Sequence, residues 1–277
     1  MFRSNFIISM KRTIYFLGIL FAVTILLSAG KKPLLLYMVG DSTMADRADT
    51  TITPERGWGQ VLPTFLDEGV VVKNYAMNGR STRSFIEEGR WKEVVSQLHR
   101  GDVVIIQFGH NDTKQSDKRR YTSIEDYQTN LSKMVQEARK KGAKPILCTP
   151  IARRYFSKET GELVNRHGGY VEAARQVAKA EKVPLLDMNE MTSEWLRREG
   201  DSASIRYFCH MPAGVYKKYP EGKKDNTHLS EAGAIEVARM AAEDIKNQNI
   251  KGLGNHVVLS REGILYTSPV APLQSGK

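Results

Sequence analysis

Asp225-Asn226-Thr227-His228 sets a carboxylate three residues before an imidazole. That spacing lets the carboxylate accept from one ring nitrogen while the other faces a proton donor, so His228 reads as a general base and Asp225 as its orienter. The expected donor is Ser42, in Gly40-Asp41-Ser42-Thr43 near the other end of the chain. A serine is a poor nucleophile until a base takes its proton, and the three residues together point to acyl transfer through a covalent intermediate. Between them lie Asn78-Gly79 and Gly109-His110-Asn111-Asp112. The backbone N–H groups of Ser42 and Gly79 and the side-chain amide of Asn111 are the donors that an ester's tetrahedral oxyanion requires. Glycine at 79 admits close backbone approach because it lacks Cβ.

Taken singly, each residue has a plainer role. A serine after glycine and aspartate is most often a helix N-cap, an asparagine in a loop most often caps it, and a lone glycine most often serves a turn. Their joint occurrence, with Ser42, Asn78-Gly79 and the Gly109 segment each following an apolar run, favours catalysis. The other histidines, His99, His110, His167, His210 and His256, are expected to be structural or solvent-exposed. Asp41 and Asp112 are expected to hold loops by accepting backbone N–H bonds. A metal site built from Asp41, Asp112 and His228 lacks any recognised ligand spacing.

Positioning these residues requires a scaffold with a strand end near each. Five short apolar runs supply it: Leu34 to Val39, Val70 to Tyr75, Val103 to Phe108, Pro145 to Thr149 and Pro184 to Met188. Helical stretches separate them, and this alternation predicts a parallel sheet covered by helices, a three-layer α/β/α sandwich. Amphipathic helices are expected over Glu125 to Lys141, Tyr170 to Glu181 and Glu231 to Asn247, the last begun by Ser230 as N-cap. In such open sheets ligands bind beyond the carboxyl ends of the strands, where Ser42, Gly79 and Asn111 fall. Residues 197–224, rich in Gly, Lys, Arg and aromatics, read as a substrate-facing loop. Arg80, Arg83, Tyr216 and Tyr219 are the expected sugar contacts. Residues 31–250 form the expected domain, and 251–277 a tail whose runs His256-Val257-Val258-Leu259 and Ile264-Leu265-Tyr266 suggest a hairpin packed on it.

Residues 1–30 carry Arg3, Lys11 and Arg12, an apolar stretch from Ile14 to Leu27 and then Ser28-Ala29-Gly30. This is the pattern of a secretory signal peptide, so a secreted or periplasmic protein without a lasting membrane anchor is expected. The formal charge is +10, and removing the three basic residues of the leader leaves +7. A positive field suits an acidic polysaccharide such as pectin; nucleic acid is not expected, because the basic residues form no aromatic-interleaved patch. Cys148 and Cys209, the only cysteines, can pair after export or remain thiols; Cys148 lies on an apolar run, where a small buried thiol is the simpler identity.

The segments Gly40-Asp41-Ser42-Thr43-Met44-Ala45-Asp46, Asn78-Gly79-Arg80-Ser81-Thr82, Gly109-His110-Asn111-Asp112 and Asp225-Asn226-Thr227-His228-Leu229-Ser230 resemble the four blocks of the SGNH (GDSL-like) hydrolase superfamily. Gly57-Trp58-Gly59-Gln60, Glu88-Gly89-Arg90-Trp91 and Tyr219-Pro220-Glu221-Gly222-Lys223-Lys224-Asp225 resemble its rhamnogalacturonan acetylesterase branch. Thr43, where the wider superfamily often has leucine, fits that branch. The resemblance implies a flavodoxin-like sheet of five parallel strands, no metal and no organic cofactor. It implies Ser42 as nucleophile, Gly79 and Asn111 as oxyanion donors beside the Ser42 N–H, Asp225 as orienter and His228 as base. The implied activity is removal of O-acetyl groups from acetylated rhamnogalacturonan. Acetylxylan esterase, lysophospholipase or thioesterase, and a carbohydrate-binding protein without catalysis remain the alternatives.

Overall fold

Each of the five apolar runs is a strand of one parallel sheet. A computed structural model describes residues 32–259 apart from 48, 50 and 51, so the signal-peptide expectation at 1–30 lies outside the described residues. In chain order the strands and helices are β1 Leu34–Gly40, α1 Trp58–Val61, β2 Val70–Asn74, α2 Thr82–Glu87, α3 Arg90–Gln97, β3 Val103–Gln107, α4 Ile124–Lys140 and β4 Lys144–Cys148. There follow α5 Tyr170–Glu181, β5 Leu185–Leu186, α6 Met188–Ser204, β6 Phe208–Met211, β7 Lys223–Leu229 and α7 Glu231–Asn247. The sheet order is β2-β1-β3-β4-β5, the flavodoxin-like arrangement, with every neighbouring pair parallel. Its switch point lies between β1 and β3, and crevices at switch points are where open α/β sheets bind ligands.

Alternation along the strands sorts the core into two layers. Leu36, Met38, Val103, Ile105 and Ile146 face one side, where they pack with Trp58, Trp195, Leu196 and the apolar stripe of α7. Tyr37, Val39, Val104, Ile106 and Leu147 face the other, against Phe85, Trp91, Tyr127, Leu131, Met134 and α5. Because both faces are covered, the central strands are apolar throughout: β3 (VVIIQ) is buried at every position. Serine and aspartate caps start the long helices, Ser123 for α4, Asp187 for α6 and Ser230 for α7, each accepting a backbone N–H from the first turn.

The C-terminal third departs from the expected loop over 197–224. Helix α6 runs through to Ser204 with a kink at Gly200, whose φ of 76° interrupts the helical path. Strands β6 and β7 then pair antiparallel as a separate two-stranded sheet. Polar residues and a run of lysines hide β7 from apolar patterning, since its side chains pack on charges rather than in the core. Beyond α7, Ile250, Leu253 and Val257 return to the core, and Val257 bridges Leu66. His256 closes a short 3₁₀ turn instead of opening a hairpin strand; the partner expected at Ile264-Leu265-Tyr266 lies outside the described residues. Both cysteines are buried free thiols, Cys148 in β4 and Cys209 in β6, and the Cys209 thiol donates to the Leu229 carbonyl at 3.1 Å. Among the described residues no helix is long and apolar enough to cross a membrane.

The Gly57-Trp58-Gly59-Gln60 segment clamps the loop that leaves β1. The Trp58 N–H donates to the Thr43 carbonyl at 2.9 Å, the Trp58 indole to Gln107 Oε1 at 2.8 Å, and the Gln60 amide exchanges hydrogen bonds with both backbone groups of Arg47. A Cβ on Gly57 would lie 2.2 Å from the Ala45 carbonyl oxygen and 2.4 Å from the Met44 carbonyl carbon. Backbone cannot retreat from such an overlap as a flexible side chain can. Gly57→Ala is therefore expected to cost roughly 1–3 kcal/mol or more and to lower turnover by displacing the loop that carries Ser42; a urea melt and an ester assay check this, and an unchanged midpoint would refute it.

Candidate active site

Ser42 sits in the turn immediately after β1, 8% exposed. His228 reaches it from β7: Ser42 Oγ lies 2.9 Å from His228 Nε2, and His228 Nδ1 lies 2.7 Å from Asp225 Oδ2. The other carboxylate oxygen of Asp225 accepts the backbone N–H groups of Thr227 at 2.8 Å and His228 at 2.9 Å. This fixes the rotamer of the aspartate and the tautomer of the imidazole, with Nδ1–H donating and Nε2 free to accept from serine. Burial alone would raise the Asp225 pKa, but the hydrogen bond and charge of His228, its backbone N–H and Lys223 outweigh this and hold it well below the usual carboxylate range.

A second carboxylate, Glu55, lies behind the triad and is 4% exposed. Lys223 Nζ stands 2.6 Å from Glu55 Oε1 and 2.9 Å from Asp225 Oδ2, bridging the two acids. The Tyr219 hydroxyl donates to Glu55 Oε1 at 2.8 Å, Lys218 pairs with Oε2 at 3.2 Å, and Arg47 Nε lies 3.4 Å from Oε2. Burial would raise the Glu55 pKa; the bonds from Lys223 and Tyr219 bring it down to about 2. Arg47 also donates to the Ser42 carbonyl at 2.8 Å, so one acid links the nucleophile's loop to the strand bearing the base. Glu55, Asp225 and His228 present ligand atoms within 4.8 Å of one another. The Lys223 ammonium takes the place a cation would hold between the acids, and both ring nitrogens of His228 are engaged, so the donor set does not fit a metal.

The three oxyanion donors converge from three strand ends. Gly79 occupies the third position of a turn closed by the Arg80 N–H on the Met77 carbonyl, with a φ of 77° that favours glycine. The Asn111 amide donates one N–H to the Arg80 carbonyl at 2.9 Å, which orients the side chain and leaves its second N–H. Among the described residues, the N–H groups of Ser42 and Gly79 have no protein acceptor. Such an arrangement can carry out acyl transfer. Ser42 Oγ attacks an ester carbonyl as His228 takes its proton, the three donors hold the oxyanion, and His228 returns the proton to the leaving alcohol. Water activated by His228 then cleaves the acyl-serine.

Two further aspartates brace the donor loops. Asp41 accepts from the Thr43 N–H at 3.0 Å and its hydroxyl at 2.9 Å, and lies 3.2 Å from His110 Nδ1. Burial would raise its pKa; His110 and Thr43 hold it at about 2. Asp112 Oδ1 accepts from the Thr82 N–H at 3.0 Å and hydroxyl at 2.6 Å, tying the Asn111 loop to the start of α2. Among the described residues its Oδ2 is buried without a well-formed hydrogen bond, and although Thr82 and Thr122 favour the carboxylate, burial pushes its pKa up to about 7.

The cleft above the triad encloses about 380 Å³. Of the expected sugar contacts only Tyr219 lines it, with its hydroxyl committed to Glu55. Arg80 pairs with Glu88 at 3.0 Å, Arg83 pairs with Glu87 at 3.0 Å, and Tyr216 bridges Tyr219 across a turn, so these three are drawn away from the cleft wall by local partners. The cations that do line it are Arg47, Lys114, Arg120, Arg153 and Lys223. Sequence reasoning passed over them, and over Glu55. Their one available signal was position, since Lys114 and Arg120 follow the Asn111 block and Lys223 precedes Asp225.

A sequence model of the GDSL-like Lipase/Acylhydrolase family matches residues 38–234. The chain is 39% identical over 233 residues to the rhamnogalacturonan acetylesterase RhgT of Bacillus subtilis (strain 168), across 84% of this chain and 97% of that one. It is 35% identical over 212 residues to the probable rhamnogalacturonan acetylesterase YesY of the same strain, across 76% and 92%. The X-ray crystal structure of protein YxiM from Bacillus subtilis superposes with a TM-score of 0.68 at 28% identity, over 80% of this chain and 58% of that one.

Ser42→Ala and His228→Ala are expected to remove ester turnover while leaving the thermal melt near that of the parent, and Asn111→Ala to lower kcat by roughly 10²–10³. Steady-state kinetics on a simple acetyl ester check all three; full activity in either triad variant, or an unchanged kcat for Asn111→Ala, would overturn the respective role. Asp112 yields a pH prediction. Its folded pKa of about 7 lies above the ordinary 3.8, so the folded protein keeps a proton that the unfolded chain has lost. Stability from this group is full below about pH 4 and is lost as pH rises through about 7. Asp112→Asn keeps an acceptor for Thr82 and cannot ionise, so urea melts should show a shallower decline over that window than in the parent; parallel profiles would contradict the assignment.

Proposed function

We propose, on the premise that the chain belongs to the GDSL-like lipase/acylhydrolase family, an SGNH ester hydrolase, that it removes O-acetyl groups from a plant cell-wall polysaccharide, acetylated rhamnogalacturonan first among them. Kinship to RhgT and YesY supports the coarser activity, that of a carbohydrate acetylesterase. The observation that carries the mechanism is the Ser42–His228–Asp225 chain of hydrogen bonds, 2.9 and 2.7 Å long, opening into a cleft with oxyanion donors at its floor. In this reading Ser42 is the nucleophile, His228 the general base and then acid, Asp225 its orienter, and the Ser42 and Gly79 N–H groups with the Asn111 amide the oxyanion hole.

The cleft's chemistry favours a sugar over a lipid. Among the described residues no aliphatic side chain lines it, whereas a lysophospholipase or thioesterase needs an apolar channel for its acyl chain. A short acetyl group needs none. The complete triad weighs against a binding protein without catalysis. The leader pattern of residues 1–30 supports action after export, where an acidic polymer would meet the net positive chain.

Acetate release from acetylated rhamnogalacturonan, acetylated homogalacturonan and acetylated xylan, each with Ser42→Ala as blank, tests the reading. The expected result is fastest release from rhamnogalacturonan, lost in the variant. Release from xylan alone would discard the substrate and keep the mechanism; no release from any polymer would discard the polysaccharide reading.

A further inference from the structure

Among the described residues, the lining of the cleft carries more positive than negative charge, five cations against two carboxylates. Both carboxylates, Glu55 and Asp225, are engaged by Lys223, and Glu55 also by Arg47 and Lys218. Lys114, Arg120 and Arg153 line the same cleft, the first two from the loop after β3 and the third from the loop after β4. Among the described residues Lys114 and Arg153 form no ion pair. Arg153 is held in place by donating from Nη2 to the His110 carbonyl at 2.9 Å, and its Nε is buried without a partner. Arg120 spends its Nε on Asp117 at 3.0 Å, which leaves its terminal nitrogens beside the oxyanion donor: a Cβ on Gly79 would lie 3.7 Å from Arg120 Cζ and Nη1.

These are not freely solvated side chains. Arg119, beside Arg120 in sequence, is 87% exposed, whereas Lys114, Arg120 and Arg153 are each half-buried in the cleft. Burial lowers the Lys114 pKa, and the charges of Arg120 and Arg153 lower it further against the opposing pull of Asp41 and Asp117, so the ammonium is repelled by both guanidinium groups. Holding like charges together in a half-desolvated cleft costs free energy, and an anion placed among them relieves it. The planar guanidinium of Arg120 or Arg153 matches a carboxylate, and a lysine ammonium adds a point charge.

We propose that Lys114, Arg120 and Arg153 form a carboxylate subsite that binds a uronate residue of the polymer while the acetylated hydroxyl is presented to Ser42. The inference rests on the polysaccharide acetylesterase reading and adds that the enzyme reads a negative charge beside the ester. Specificity then comes from the cleft wall, whereas the triad itself is indifferent to the sugar.

The test compares acetate release from acetylated rhamnogalacturonan with release from the same polymer after chemical reduction of its uronate carboxyls to alcohols. The parent should lose roughly 10- to 100-fold in kcat/KM on the reduced polymer, the range expected for a lost hydrogen bond to a charged group. The preference should weaken as salt rises. Lys114→Met and, as an independent variant, Arg120→Gln should each shrink the ratio between the two polymers about tenfold, and Lys114→Arg should restore it. The ratio is taken within one preparation, so a partly misfolded variant still reports it. Equal rates of the parent on both polymers, or a ratio unchanged in both Lys114→Met and Arg120→Gln, would overturn the subsite and leave the acetylesterase reading standing. No acetate from either polymer while p-nitrophenyl acetate is turned over would remove the polysaccharide reading and the subsite with it.

Discussion

A single buried carboxylate joins the two halves of this active site. Glu55 accepts from Lys223 and Tyr219 on the hairpin segment that carries the base, and it lies against Arg47 on the loop that carries the nucleophile. A charge so buried persists only when fully paired, because desolvation without partners would cost several kcal/mol. The partners are therefore held as firmly as the acid. Lys223 transmits this constraint to Asp225, and Arg47 transmits it to the Ser42 carbonyl. The 2.9 Å contact between serine and histidine is the end of that chain.

The rest of the scaffold divides the labour. The parallel sheet delivers Ser42, Gly79 and Asn111 to one edge with backbone precision, since each follows a strand or its short extension. The antiparallel β6–β7 pair is a separate sheet with its own ladder, anchored on the shared core by Phe208 and Leu229. Aspartates brace each donor loop from below, Asp41 within the nucleophile's turn and Asp112 across to the start of α2. The cations Lys114, Arg120 and Arg153 stand on the loops after β3 and β4, and Arg153 is tied to the donor loop through the His110 carbonyl.

Strands buried on both faces are continuous apolar runs, and for that reason the sheet and its parallel sense were legible in the sequence. The triad and the oxyanion donors were legible as residue types, because each follows such a run or sits at a spacing that chemistry requires; the structure brings all five together. The hairpin was not legible. Strand β7 is Lys-Lys-Asp-Asn-Thr-His-Leu, a sequence with no apolar alternation, since its side chains answer to Glu55 and Ser42 and not to a core. Glu55 was invisible for a related reason: nothing local distinguishes a buried acid from a surface one until the lysines that surround it, 163 and 168 residues away, are placed. Arg80 and Arg83 drew attention by standing next to the Gly79 block, yet acids close in sequence claim both.

Ser42 and His228 are separated by 186 residues. Synthesis therefore lays down the nucleophile and every oxyanion donor long before it reaches the base. Through most of the chain's elongation the serine is an ordinary alcohol, with no imidazole to take its proton. Hydrolytic power appears only when the hairpin near the other end closes on Glu55, so the enzyme is silent as a nascent chain and switches on with strand β7.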